Sequence, residues 1–123
     1  MNRPVHFEIL GDKPQELADF YQAVLGWEVG TWDGPQAYWL LTTGPDGTPG
    51  INGAIMERHF PQGVINTIEV ESLDEASSKV EQAGGKVING PNDIPGVGRH
   101  SYCEDPEGNL FGLLQPSMEE PEE

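Results

Sequence analysis

The sequence predicts an α+β fold of two tandem βαβββ modules. Three observations carry that prediction: a strictly alternating opening strand, an amphipathic helix closed by glycine, and the return of the same element order in the second half. In Val5-His6-Phe7-Glu8-Ile9, the residues Val5, Phe7 and Ile9 share one face while His6 and Glu8 share the other, which reads as a half-buried strand. The run Pro14 to Leu25 has proline in its first turn, Leu17, Phe20, Tyr21 and Val24 at helical spacing, and Gly26 as its stop.

Three further strands are predicted at Trp27 to Trp32, Gln36 to Thr43 and Ile51 to Glu57. The breaks between them are Asp33-Gly34-Pro35 and the glycine- and proline-rich run from Gly44 to Gly50. After a link from Arg58 to Gly63, the order recurs: a strand over Val64 to Val70, a helix over Leu73 to Ala83 ended by Gly84-Gly85, and strands near Lys86 to Ile88, Arg99 to Cys103 and Leu110 to Leu114. Sliding the chain on itself by 59 residues puts Ile9 on Ile68, Leu17 on Ala76, Gly26 on Gly85 and Gly53 on Gly112. The expected layout is one domain over 1–117, with module one at 3–58 and module two at 63–116. The acidic end from Met118 to Glu123 is expected to be a solvated, disordered tail.

Lys and Arg total 6 against 21 Asp and Glu, a formal charge of -15. Such a surface repels phosphate backbones and anionic lipid, so neither nucleic acid nor membrane is an expected partner. The single cysteine, Cys103, excludes an intrachain disulfide and a cysteine-based zinc site, and reads as an ordinary strand thiol rather than a nucleophile. The absence of a long apolar run, and of a basic-then-apolar start, leads to an expected cytoplasmic location. Phosphate loops, nucleophile elbows and paired-histidine zinc spacings are missing from the sequence.

Three stretches resemble the vicinal oxygen chelate (glyoxalase/bleomycin-resistance) superfamily: His6-Phe7-Glu8-Ile9, the helix end Phe20-Tyr21-Gln22-Ala23-Val24-Leu25-Gly26-Trp27, and Asp105-Pro106-Glu107-Gly108-Asn109 leading into Leu110-Phe111-Gly112-Leu113-Leu114. Gly50-Ile51-Asn52-Gly53 and Ile94-Pro95-Gly96-Val97-Gly98 further resemble a bacterial branch of glyoxalase-related proteins. The resemblance runs from about Arg3 to Pro116. It implies two half-barrel modules with concave faces that take a small organic ligand, frequent homodimers, and in many members a divalent metal that chelates neighbouring substrate oxygens.

Metal-dependent members draw ligands from the first and fourth strands of each module. Here His6 matches the first-strand position, its repeat equivalent is Ile65, and the fourth-strand positions fall on Gly53 and Gly112. Glu57 shares parity with Gly53 but lies four residues away, about 13 Å along a strand. The expectation is therefore a lost metal site and no cofactor, with a divalent ion on His6 and Glu8 as the alternative. His6 and Glu8 are the candidate catalytic pair, able to share acid-base work, or else a solvated or hydrogen-bonded remnant. Tyr38, Gly53, Thr67, His100, Tyr102 and Gly112 are the candidate ligand-binding residues. For the two glycines, open floor space and a bulge or tight crossing are both consistent with the sequence. Trp32 and Trp39 are either pocket walls or core, and His59 reads as a surface residue in the link. The expected function is small-molecule binding by a glyoxalase-like protein. The alternatives are a lyase or isomerase of the lactoylglutathione-lyase type using His6 and Glu8, and a structural homodimer.

Overall fold

The computed structural model describes residues 1–31 and 38–117. The turn expected at Asp33-Gly34-Pro35, the wall expected of Trp32 and the acidic tail lie outside the described residues. The elements are β1 (Arg3–Gly11), α1 (Pro14–Leu25), β2 (Glu28–Thr31), β3 (Tyr38–Thr42) and β4 (Gly53–Glu57), followed by β5 (Val64–Glu69), α2 (Leu73–Gln82), β6 (Lys86–Ile94), β7 (Gly98–Glu104) and β8 (Leu110–Pro116). That is βαβββ twice, an α+β fold. The chain divides into two compact units, Val5–Ile65 and Met1–Pro4 with the described residues from Asn66 onward. The boundary thus falls between residues 65 and 66, and the first residues join the second unit, where the Asn2 N–H donates to the Glu69 carbonyl at 2.6 Å.

In the first unit the strands are ordered β2-β3-β4-β1, with β1 and β4 parallel and the other pairs antiparallel. The alternation of β1 decides which face is covered. Ile9 joins Ala18, Leu41 and Ile55 in a buried cluster, with Phe7, Leu17, Tyr21, Trp27, Val29 and Trp39 packed against it, so the odd residues of β1 face α1. Burying a side chain the size of Ile9 or Ile55 contributes about 1.5–3 kcal/mol, enough to fix the strand's face. Gly26 ends α1 at φ 74°, a left-handed cap that only glycine adopts cheaply, and its N–H donates to the Gln22 carbonyl. Trp39 belongs to this core, and its indole N–H donates to Gln15.

In the second unit the order is β5-β8-β7-β6, with β5 and β8 parallel. Its buried cluster of Val70, Leu73, Cys103 and Leu113 lies under α2 with Ile68, Ala76, Val80, Val87 and Phe111. Ser72 caps α2 by accepting from the Glu75 N–H at 3.2 Å. β6 is longer than the strand expected near Lys86 to Ile88; it reaches Ile94 through register shifts between Val87 and Asn89 and between Asn89 and Asn92. The Asp-Pro-x-Gly-Asn motif is the β7–β8 turn. Asp105 accepts from the backbone of Glu107 and Asn109 at 2.9 Å each and from the Asn109 side chain at 3.1 Å, bonds that hold its carboxyl below the ordinary range.

The repeat holds, but not at one offset. Ile9 and Ile68 both face their helices, 59 positions apart, whereas the left-handed glycines after the helices are Gly26 and Gly84, 58 apart. The shorter spacing persists beyond that point: Val29 and Val87 face the helices, as do Ile55 and Leu113. Gly112 therefore corresponds to Ala54, and Gly53 to Phe111. A slip of one residue exchanges the faces of a strand. Gly53 lies on the helix side opposite Phe7, where an added Cβ would stand 2.5 Å from the Phe7 carbonyl oxygen and 2.6 Å from its ring.

Gly53→Ala is accordingly expected to destabilise the fold by about 1–3 kcal/mol, since backbone as well as ring must move. Gly30→Ala, where a Cβ meets nothing within 4 Å, is expected to stay within about 0.5 kcal/mol of the parent. Urea unfolding of the two variants checks the contrast.

Candidate functional site

The face of the first unit turned away from α1 is set by the same alternation. β1 contributes His6, Glu8 and Leu10 to it, β4 contributes Ala54 and Met56, and β3 contributes Tyr38 and Leu40. Glu8 stands opposite Ala54, which in turn stands opposite Leu40 on the far side. β1 and β3 flank β4, so about 9.5 Å of sheet separates them, and the Tyr38 side chain is long enough to span it diagonally, from opposite Met56 to Glu8 opposite Ala54. The Tyr38 hydroxyl donates to Glu8 Oε2 at 2.7 Å, and His6 Nε2 lies 3.0 Å from the same oxygen of Tyr38. One phenol proton cannot serve both neighbours. Because it goes to the carboxylate, His6 Nε2–H is the donor in the second bond. The imidazole and phenol planes are 12° apart at a centroid distance of 6.4 Å.

Glu8 is 5 % exposed, so it is not the solvated remnant that the sequence left open. A buried carboxylate needs hydrogen bonds to remain charged, and the phenol supplies a short one. Burial pushes His6 below its ordinary value of 6.5, while the nearby Glu8 charge opposes that shift. The three groups are thus linked in the order carboxyl, phenol, imidazole.

The second unit brings together the other predicted residues. Thr67 and Tyr102 both lie opposite Gly112, and His100 lies opposite Leu114. The His100 ring meets Tyr102 edge-on at 4.5 Å. A Cβ on Gly112 would stand 2.7 Å from His100 Nε2 and 3.2 Å from Thr67 Oγ1, so bare backbone there makes room for the imidazole. His100 and Thr67 are both buried, at 8 % and 3 % exposure.

Gly53 does not join either group. Its expected place on the ligand face is corrected by the register, which turns it toward Phe7. What the sequence missed is the apolar floor around Glu8: Leu10, Ala54 and Met56, all buried, with Leu40 beside them. Gly53 to Met56 are buried in succession, so no alternation marks which of them faces which way. His59 is exposed, as expected. Cys103 is buried in the second core with its thiol pushed up to about 11 by burial, Glu81 adding to the rise, the opposite of the lowered value that activates a thiol.

Residues 3–113 match the family model of the Glyoxalase/Bleomycin resistance protein/Dioxygenase superfamily. The chain belongs to this superfamily. Among similar members, CFP32 of Mycobacterium tuberculosis, provisionally named a glyoxylase, is 35% identical over 119 residues, covering 92% of this chain and 44% of that protein. The anthracycline biosynthesis protein DnrV of Streptomyces peucetius is 27% identical over 134 residues, covering 95% and 48%. The chain thus spans less than half the length of the curated relatives it matches. Solved structures of the same fold include a methylmalonyl-CoA epimerase in complex with methylmalonyl-CoA (TM-score 0.71, 18% identity, 98% of this chain and 99% of that one). Another is protein BH1468 of Bacillus halodurans (TM-score 0.72, 16% identity, 98% of each chain). At these identities the likeness is one of fold.

The divalent metal implied by the superfamily resemblance does not fit the residues present. Among the described residues, no three His, Cys, Asp or Glu side chains gather in one place. Beside His6 and Glu8, β4 presents Ala54 and Met56, and Glu57 falls opposite Gly11, on the other parity. A protein site for such an ion normally takes three or four ligands, and among the described residues this face offers two, one of which already accepts a hydrogen bond from the Tyr38 hydroxyl.

The depressed His6 value has a definite sign in stability. Below 6.5 the unfolded chain takes up the proton before the folded one does, so His6 stabilises the fold fully above that value and the contribution is lost as pH falls through the lower folded value. In an NMR titration the His6 imidazole is expected to titrate below 6.5. The midpoint should fall further in Glu8→Gln, which removes the opposing charge while leaving the burial.

Proposed function

We propose that this superfamily member binds a small organic molecule on the Glu8 face of its first unit, without a metal. The observation that carries the reading is the part-buried Glu8–Tyr38–His6 chain, in which the buried Glu8 carboxyl accepts from the Tyr38 hydroxyl at 2.7 Å. Buried polar groups fixed among Leu10, Leu40, Ala54 and Met56 make the mixed surface that small-molecule sites use: mostly apolar, with a few placed hydrogen-bonding atoms. Assembly as a homodimer is part of the proposal and is read by light scattering. No helix among the described residues is long and apolar enough to cross a membrane.

A second reading, a lyase or isomerase, is favoured by one feature: the phenol joins a carboxylate to an imidazole, two groups with acid-base capacity. In it Glu8 takes a proton from carbon next to a carbonyl as the electron pair moves onto the carbonyl oxygen. Return of the proton to another position completes an isomerisation. The naming of CFP32 as a glyoxylase supports this reading, as does the epimerase among the solved structures of the fold. Tyr38 would hold Glu8 in place and His6 would hold the phenol.

Thermal unfolding with nickel, zinc, manganese or EDTA tests the metal-free part. An integral metal at a hundredfold excess over its dissociation constant adds about 2.7 kcal/mol, a shift of several degrees; none is expected. For ligands found by thermal-shift screening, Tyr38→Phe and Glu8→Gln are expected to weaken binding measured by calorimetry by about 1.5–3 kcal/mol when the carboxylate is contacted directly. Ligands that bind both variants as tightly as the parent would move the site elsewhere.

A further inference from the structure

We infer that the Glu8 site takes uncharged or cationic organic molecules and turns away anionic ones, including phosphate-bearing acyl carriers such as acyl-CoA thioesters. The inference rests on the reading of the Glu8 face as the ligand site and adds the class of ligand it accepts.

Between Val5 and Ile65 the only Lys and Arg are Lys13 and Arg58. Both are engaged at the surface, Lys13 with Glu16 at 4.0 Å, and Arg58 with Asp12 at 3.4 Å and the Gln62 carbonyl at 3.3 Å. Lys13 precedes α1 and Arg58 follows β4, so neither lies on the strand positions that form the Glu8 face. Those positions carry Leu10, Leu40, Ala54, Met56, Tyr38 and His6. The charged groups on them are acids: Glu8, and on the outer strand Glu28, which stands opposite Thr42 and so has the parity of Tyr38 and Leu40.

Recognition of phosphate or carboxylate calls for guanidinium, ammonium or the N–H groups at a helix start. The start of α1 belongs to the opposite side of this sheet, where Pro14 is buried and supplies no N–H. An anion brought beside Glu8 would meet a like charge in a poorly solvated setting, the arrangement that disfavours ionisation of both groups. The long-range field has the same sign, with 21 acids against 6 Lys and Arg in the chain. A cation, or a neutral molecule with a hydrogen-bond donor, is met instead by a carboxylate acceptor, and its apolar part by Leu10, Leu40 and Met56.

The test follows the His6 imidazole resonances of the full chain by NMR during titration with benzamidinium, benzamide, benzoate and acetyl-CoA. The two aryl ions share the probe's shape and differ in charge. Benzamidinium and benzamide are expected to shift His6, with benzoate and acetyl-CoA about a hundredfold weaker or silent. Glu8→Gln should weaken both benzamidinium and benzamide, the cation by about tenfold more than the amide. Added salt should weaken benzamidinium in the parent protein, a readout that does not depend on the variant folding. Benzoate or acetyl-CoA acting on His6 as strongly as benzamidinium overturns the charge selection while leaving the site in place. Silence from all four probes overturns the site itself, and the inference with it.

Discussion

A carboxylate removed from water is tolerable only where something donates to it, and in the first unit that donor comes from two strands away. Tyr38 reaches across β4 to Glu8, and the contact constrains three separate features of the sequence. The β4 residue opposite Glu8 is small, Ala54, which leaves room over the strand. The alternation of β1 must hold so that Phe7 and Ile9 enter the helix-side core while Glu8 turns the other way. The imidazole of His6 must offer its N–H to the phenol oxygen, whose own proton is committed. Packing and site are thus coupled, because the residues that hold the strand's register also aim the acid.

Most of the architecture was legible because local chemistry and global fold agree. The five residues from Val5 to Ile9 declare both faces of β1. Pro14 and Gly26 bracket α1, and the Asp105 turn is written out by a carboxylate that satisfies the backbone of Glu107 and Asn109. The pairing of His6 with Glu8 on one face followed from the same alternation, and so did the common face of His100 and Tyr102.

The fourth strands were not legible in that way. Gly53, Ala54, Ile55 and Met56 are all buried, which erases the period of two on which a face assignment depends. The repeat offset had to stand in for it, and that offset changes from 59 to 58 where the helices end. Gly26 and Gly85 align by letter, yet the glycine with the left-handed backbone after α2 is Gly84, at φ 101°. Residue type alone does not reveal φ. Nor does the sequence show that Tyr38, 30 positions away, would cap the Glu8 carboxylate, because that bond depends on the order of strands in the sheet.

The missing side chain at Gly112 gives the second unit a different chemistry from the first. Where the first has Ala54 opposite Glu8, the second has bare backbone opposite Thr67 and Tyr102, with the His100 ring beside it. Two halves built to one plan have diverged at several matched positions, Glu8 against Thr67 and Ala54 against Gly112 among them, so that one sheet face carries a carboxyl and the other imidazole and hydroxyls. Even a methyl at that spot would stand 2.7 Å from His100 Nε2, so the imidazole holds this position only beside the smallest residue available.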